Sequence, residues 1–120
     1  MKAIIVEPDD ARPRVADIQS DLESLQEIVG GYIQVIYPFE DRVGLICNEE
    51  GKLWGLPLNR ALRDENGEIY DILSGTFIVA GLTEDDFGDL TDEQVDKYMK
   101  LYHDKEVFIR KGQRIISFAV

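Results

Sequence analysis

The sequence predicts an α+β fold: one domain, with a mixed, mainly antiparallel sheet and two principal helices packed against it. Three observations predict it. The chain has 120 residues, enough for one core and too few for two. Short β-branched runs are separated by glycine, proline and Asx turn signals. Two segments carry a helical apolar period behind capping signals, and the order strand, helix, several strands, helix, strands disfavours a doubly wound α/β sheet.

Ala3–Val6 is apolar and stops at Glu7-Pro8-Asp9-Asp10, which reads as a first strand and its turn. Residues 12–18 read as a short edge strand or irregular chain, because Pro13 cannot donate to a ladder. Ser20 and Glu23 have capping-box spacing, Leu22, Leu25, Ile28 and Val29 share one helical face, and Gly30-Gly31 ends the helix. Strands are expected at Tyr32–Tyr37 and Val43–Asn48, with residues 52–56 returning as the hairpin partner of the second. Leu58–Arg63 reads as one or two helical turns behind Pro57. Asp64–Gly67 is a turn, and residues 68–73 extend up to Ser74-Gly75. The unbroken apolar run Thr76–Ala80 suits a central strand covered on both faces. Thr83 caps a short helical turn through Phe87. Thr91 and Gln94 form a capping box ahead of Val95, Tyr98, Met99 and Tyr102 at i, i+3, i+4 and i+7. Val107–Ile109 and Ile115–Val120 flank Arg110-Lys111-Gly112-Gln113 as a terminal hairpin.

Lys and Arg total 13 against 24 Asp and Glu, a net charge of −11. That balance disfavours direct contact with nucleic acid or with an anionic membrane, since both would repel it. One cysteine, Cys47, allows no internal disulfide, and His103 is the single histidine, so no Cys-rich or His-rich metal site is expected. No acid, serine or cysteine is placed by the sequence to make either residue catalytic, and no catalytic group, cofactor or metal is expected. No stretch approaches the roughly 20 apolar residues of a membrane helix, and Met1–Pro8 reads as a strand rather than a signal peptide. The reading is an intracellular, cytoplasmic chain.

The segment Leu22–Gln34, together with Asn48-Glu49-Glu50-Gly51-Lys52-Leu53, Gly55-Leu56-Pro57-Leu58-Asn59-Arg60-Ala61 and Ser74–Gly81, resembles an uncharacterised domain-of-unknown-function family, number 3846. The resemblance spans residues 1–103, leaving 104–120 as a β-hairpin extension of a single domain, 1–120. It implies the setting of bacteria, phages and conjugative elements, and it brings no catalytic or binding residue with it. Trp54 departs from the more usual polar residue there and makes that surface more adhesive if exposed.

Two groups are the candidate sites. Glu84, Asp85, Asp86, Asp89, Asp92, Glu93 and Asp96 place seven carboxylates within 13 residues. Carboxylates one helical turn apart, about 5.4 Å, can imitate a phosphate track and occupy a DNA-binding cleft. The plainer reading is a solvated face, with acids favoured in first turns by the helix dipole. The second group is Asn59 and Arg60, with Thr76 nearby, as polar lining of a pocket for a carboxylate or nucleotide. The plainer reading there is a cap or a turn. The functional expectation is a non-enzymatic accessory protein of a mobile element that binds a basic host or defence protein. The alternative is a small-ligand or nucleotide-binding module, and an enzyme ranks last. Oligomeric state stays open. Lys105, Arg110, Lys111 and Arg114 oppose the acidic run in sign and could orient contact with another molecule.

Overall fold

A computed structural model describes residues 1–9 and 12–119. Asp10, of the first turn, and Val120, at the expected end of the last strand, lie outside the described residues.

The main sheet has the strand order β2-β1-β7-β4-β3, with β8 hydrogen-bonded to β7. These are β1 (Lys2–Val6), β2 (Arg14–Asp17), β3 (Ile33–Ile36), β4 (Val43–Asn48), β7 (Phe77–Leu82) and β8 (Phe87–Gly88). Each of its ladders is antiparallel. Two further antiparallel hairpins stand apart from it: β5 (Leu58–Arg63) with β6 (Ile69–Ser74), and β9 (Glu106–Lys111) with β10 (Arg114–Ala119). The fold is α+β, as expected, and the terminal hairpin forms. The central strand is β7, whose side chains are covered on both sides.

Alternation along the strands sorts the core into two layers. Ile4, Val6, Val43, Leu45, Cys47, Phe77 and Val79 face one side, and Ala3, Ile46, Ile78 and Ala80 the other. Helix α1 (Leu22–Val29) covers the second layer with Leu25 and Val29. Helix α2 (Asp92–Leu101) and the β5–β6 hairpin cover the first, through Tyr98, Tyr102, Leu62 and Leu73. The Tyr102 ring meets Phe77 edge-on at 5.2 Å between centroids, and Tyr98 packs against Phe39 at 5.0 Å.

Four local expectations are corrected. The cap of α1 is Asp21, not Ser20: its carboxylate accepts from the Ser24 N–H at 3.1 Å and from the Ser24 hydroxyl at 2.8 Å. The helix stops at Gly30, whose φ of 81° suits glycine and lets its N–H reach Gln26 O. Residues 52–56 are a compact turn, held by the Trp54 N–H on Glu50 O and the Leu56 N–H on Gly51 O, rather than a strand. Leu58–Arg63 is strand β5, because its ladder with β6 and its buried Asn59, Arg60, Ala61 and Leu62 outweigh the helix propensity of Leu, Arg and Ala. Thr83–Phe87 is a bend leading into β8. Thr83 Oγ1 accepts from the Asp86 N–H and donates to Asp86 O, which closes the bend before a helix can start. The Thr91–Gln94 capping box is complete in both directions.

Asp21→Ala is expected to lower unfolding stability by about 1 kcal/mol, while Ser20→Ala leaves it within about 0.5 kcal/mol. Urea denaturation of the two variants checks the assignment.

Candidate functional site

Asn59 and Arg60 are each 1% exposed. They form a buried polar node. Asn59 Nδ2 donates to Val6 O at 2.9 Å and to Gly75 O at 2.8 Å, so it ties the end of β1 to the turn before β7. Arg60 Nε and Nη2 both reach Tyr102 O, at 3.3 and 2.9 Å, and Nη1 reaches Asn59 Oδ1 at 2.8 Å and Asn59 O at 3.2 Å. Tyr102 is the C-cap of α2, so the guanidinium sits at the negative end of the helix dipole. Burial pushes its pKa down from the ordinary value, with Glu106 and Asp104 pulling the other way. An arginine nevertheless stays charged. Thr76 is half-buried just ahead of β7, one residue after the carbonyl that Asn59 holds. None of these three residues lines the hollows described below.

A second polar cluster locks α2 to the β3–β4 connection. Asp41 accepts from Gln94 Nε2, from the Tyr98 hydroxyl, each at 3.0 Å, and from the Arg42 N–H at 2.8 Å. These hydrogen bonds, that of Gln94 foremost, hold the Asp41 carboxyl below its usual range. Burial pushes the Tyr98 phenol up, and its hydrogen bond to Asp41 adds to the shift. It therefore remains a neutral donor at neutral pH.

The seven carboxylates of the acidic run are all exposed. Four do structural work. Asp89 accepts from the Lys2 N–H at 2.6 Å, Asp92 meets Lys2 Nζ at 3.1 Å, Asp96 meets Lys100 Nζ at 3.4 Å, and Asp86 Oδ1 accepts from the Phe87 N–H at 2.7 Å. At the start of the run, Glu84, Asp85 and Asp86 line a hollow of about 440 Å³ together with Tyr37 and Phe87. Tyr37 is 64% exposed. The sequence pointed to the acids, whereas one of the two aromatic residues, Tyr37, comes from β3's exit, more than 40 residues away.

Two adjoining hollows were not foreseen. One, about 830 Å³, is an open groove between β6 and β10. The other, about 300 Å³, is a polar cleft where the turn after β4 crosses β6. The ion pair Lys52–Asp71 lies on the wall of both. Trp54 is 52% exposed, so its side chain does add apolar surface at this turn. Cys47 is buried, donates to Gln34 O at 3.6 Å, and burial raises its pKa. His103 is exposed beside Arg12 and Asp104. Among the described residues no group of three or more His, Cys, Asp or Glu side chains is placed to hold a metal ion.

The geometry defines an antiparallel α+β domain whose recesses are surface hollows framed by turns and hairpins. Residues 1–103 match the family model described as a domain of unknown function, DUF3846, and the chain belongs to that family. The terminal hairpin lies beyond the matched residues. No curated protein and no solved structure matched the chain. Among the described residues no helix is long and apolar enough to cross a membrane.

Asn59→Ala orphans two buried carbonyls and one Arg60 donor, and is expected to cost about 2–4 kcal/mol of unfolding stability. A depressed carboxyl pKa adds stability above its unfolded value near about 3.9 and loses it as pH falls through the folded value. Asp41→Asn is therefore expected to lower stability at pH 7 and to weaken its decline toward acid, as read by urea melts across that range.

Proposed function

We propose that the protein is a non-catalytic binding protein that presents a negatively charged surface to a basic protein partner. The observation that carries this reading is the acid-and-aromatic hollow of Tyr37, Glu84, Asp85, Asp86 and Phe87. Carboxylates satisfy the charge and donors of a guanidinium or ammonium group, and an aromatic face adds attraction. The net charge of −11 extends the attraction beyond contact range and speeds encounter with a basic surface. A nucleic-acid-binding protein of the host or of a defence system offers such a surface, and the further acids through Asp96 would then stand in for phosphates. The setting in this reading is a mobile element of a bacterium or phage.

Asp89, Asp92 and Asp96 are already paired within the chain, so the reading places first contact at the hollow rather than along the whole run. An arginine-rich peptide is expected to bind at low ionic strength and to be released by salt. Tyr37→Ala and Glu84→Gln should each weaken it about threefold to fivefold, while Glu27→Gln, a matched charge loss on α1, should not. Fluorescence anisotropy reads this. Absence of binding at low salt, or equal losses from all three variants, overturns the assignment.

A further inference from the structure

The polar cleft and the open groove meet at the Lys52–Asp71 ion pair, and the structure assigns them together as one site for a small organic cation with an apolar body. The cleft is walled by Cys47, Asn48, Gly51 and Ser74. Ser74 is 6% exposed, and its hydroxyl is a buried side-chain oxygen with no hydrogen-bond partner among the described residues. A lone buried hydroxyl costs stability unless something binds it. It is the kind of group a ligand's polar head would satisfy.

The surroundings set the ligand's chemistry. Asn48 has little left to give: its Oδ1 accepts from the Glu50 N–H and its Nδ2 donates to Val29 O. Glu49, Glu50, Glu68 and Asp71 outnumber Lys52 and Arg114 along the two hollows, so an ammonium head is favoured and a carboxylate or phosphate is repelled. Beyond the ion pair the groove turns apolar, with Leu58, Ile69, Tyr70, Ile115 and Ile116 offering a surface for a hydrocarbon or aryl body. Leu58, Tyr70 and Ile115 are 44%, 57% and 44% exposed, and that apolar area is still open to be covered. Each volume taken singly lies within the range of small-molecule sites. Glycine at 51 is required here, since a Cβ would stand 2.9 Å from Ser74 O.

The site is separate from the hollow at Tyr37 and shares no residue with it. The test uses the full chain with 2-phenylethylamine and 3-phenylpropanoate as matched probes. Amide NMR shifts should move at Gly51, Lys52, Asp71 and Ser74 with the amine and stay put with the acid. Ser74→Ala is expected to raise the melting temperature of the free protein by removing the orphaned hydroxyl, and to weaken the amine about fivefold. Tyr70→Ala, on the exposed wall, should weaken the amine without lowering the melting temperature. Equal response to both probes, shifts confined to other surfaces, or a Ser74→Ala protein that melts lower each overturn the assignment. Tyr37→Ala should leave amine binding intact, so failure here and failure of the arginine-peptide reading are told apart.

Discussion

The buried Arg60 guanidinium is the constraint on which the arrangement of layers depends. The sheet is apolar on both faces, and α1 closes one of them alone. The other is closed by two pieces that are not neighbours in chain order, α2 and the β5–β6 hairpin, with β7 and β8 between them. Arg60 joins them: it reaches from β5 to the last carbonyl of α2, and its neighbour Asn59 reaches from the same strand to β1 and to the β6–β7 turn. A buried charge that, among the described residues, reaches no carboxylate directly is costly unless its donors are spent, and here four hydrogen bonds and a helix C-terminus spend them. Such an interaction selects one geometry more than it adds net stability. A slid or rotated hairpin would leave the cation in an apolar layer.

The same logic extends outward to the terminal hairpin. Glu106 on β9 accepts from the Ala61 N–H at 2.9 Å, from Arg63 at 2.8 Å and from the Ser117 hydroxyl at 3.1 Å. One carboxylate thus occupies a backbone donor on β5 and fixes the two hairpins to each other. A two-stranded ribbon is marginal by itself, and this docking gives β9–β10 a defined place. The groove between β6 and β10 is the consequence. A family-like core of residues 1–103 supplies one wall and the extension supplies the other.

Much of this was legible wherever one physical signal dominated. β7 reads as central because Phe77–Ala80 contains no polar residue, and its position in the strand order agrees. The α2 capping box and apolar period pointed to one helix, and its box formed fully. Leu58–Arg63 was illegible because its residues favour helix intrinsically, and only the ladder with β6 and the buried node reverse that preference. Asn59 and Arg60 stood out as an asparagine beside an arginine, read as pocket lining or as a cap or turn. The same signal accompanies a ligand site and a buried structural pair, and spacing alone does not separate them. The Ser74 cleft had no local signature at all. Its walls come from β3, β4, the turn after β4 and β6, which meet only through the fold.

The strongly acidic composition also resolves into parts with different physical roles. Asp21 caps α1, Asp41 holds Tyr98 and Gln94, Asp64 closes the β5–β6 turn by accepting from the Asn66 and Glu68 N–H groups, and Asp89 and Asp92 pin the start of β1. These carboxylates are spent on backbone donors and on nearby cations, and each is tied to one local geometry. Glu84 and Asp85 sit instead on the rim of a hollow with two aromatic residues. A carboxylate already engaged must give up a partner before meeting a new one, while one on an open rim surrenders only water. Net charge brings a basic surface near from any direction. The distribution of engaged and open carboxylates decides where it settles, and at the hollow the open ones are Glu84 and Asp85, with Asp86 already holding the Phe87 N–H.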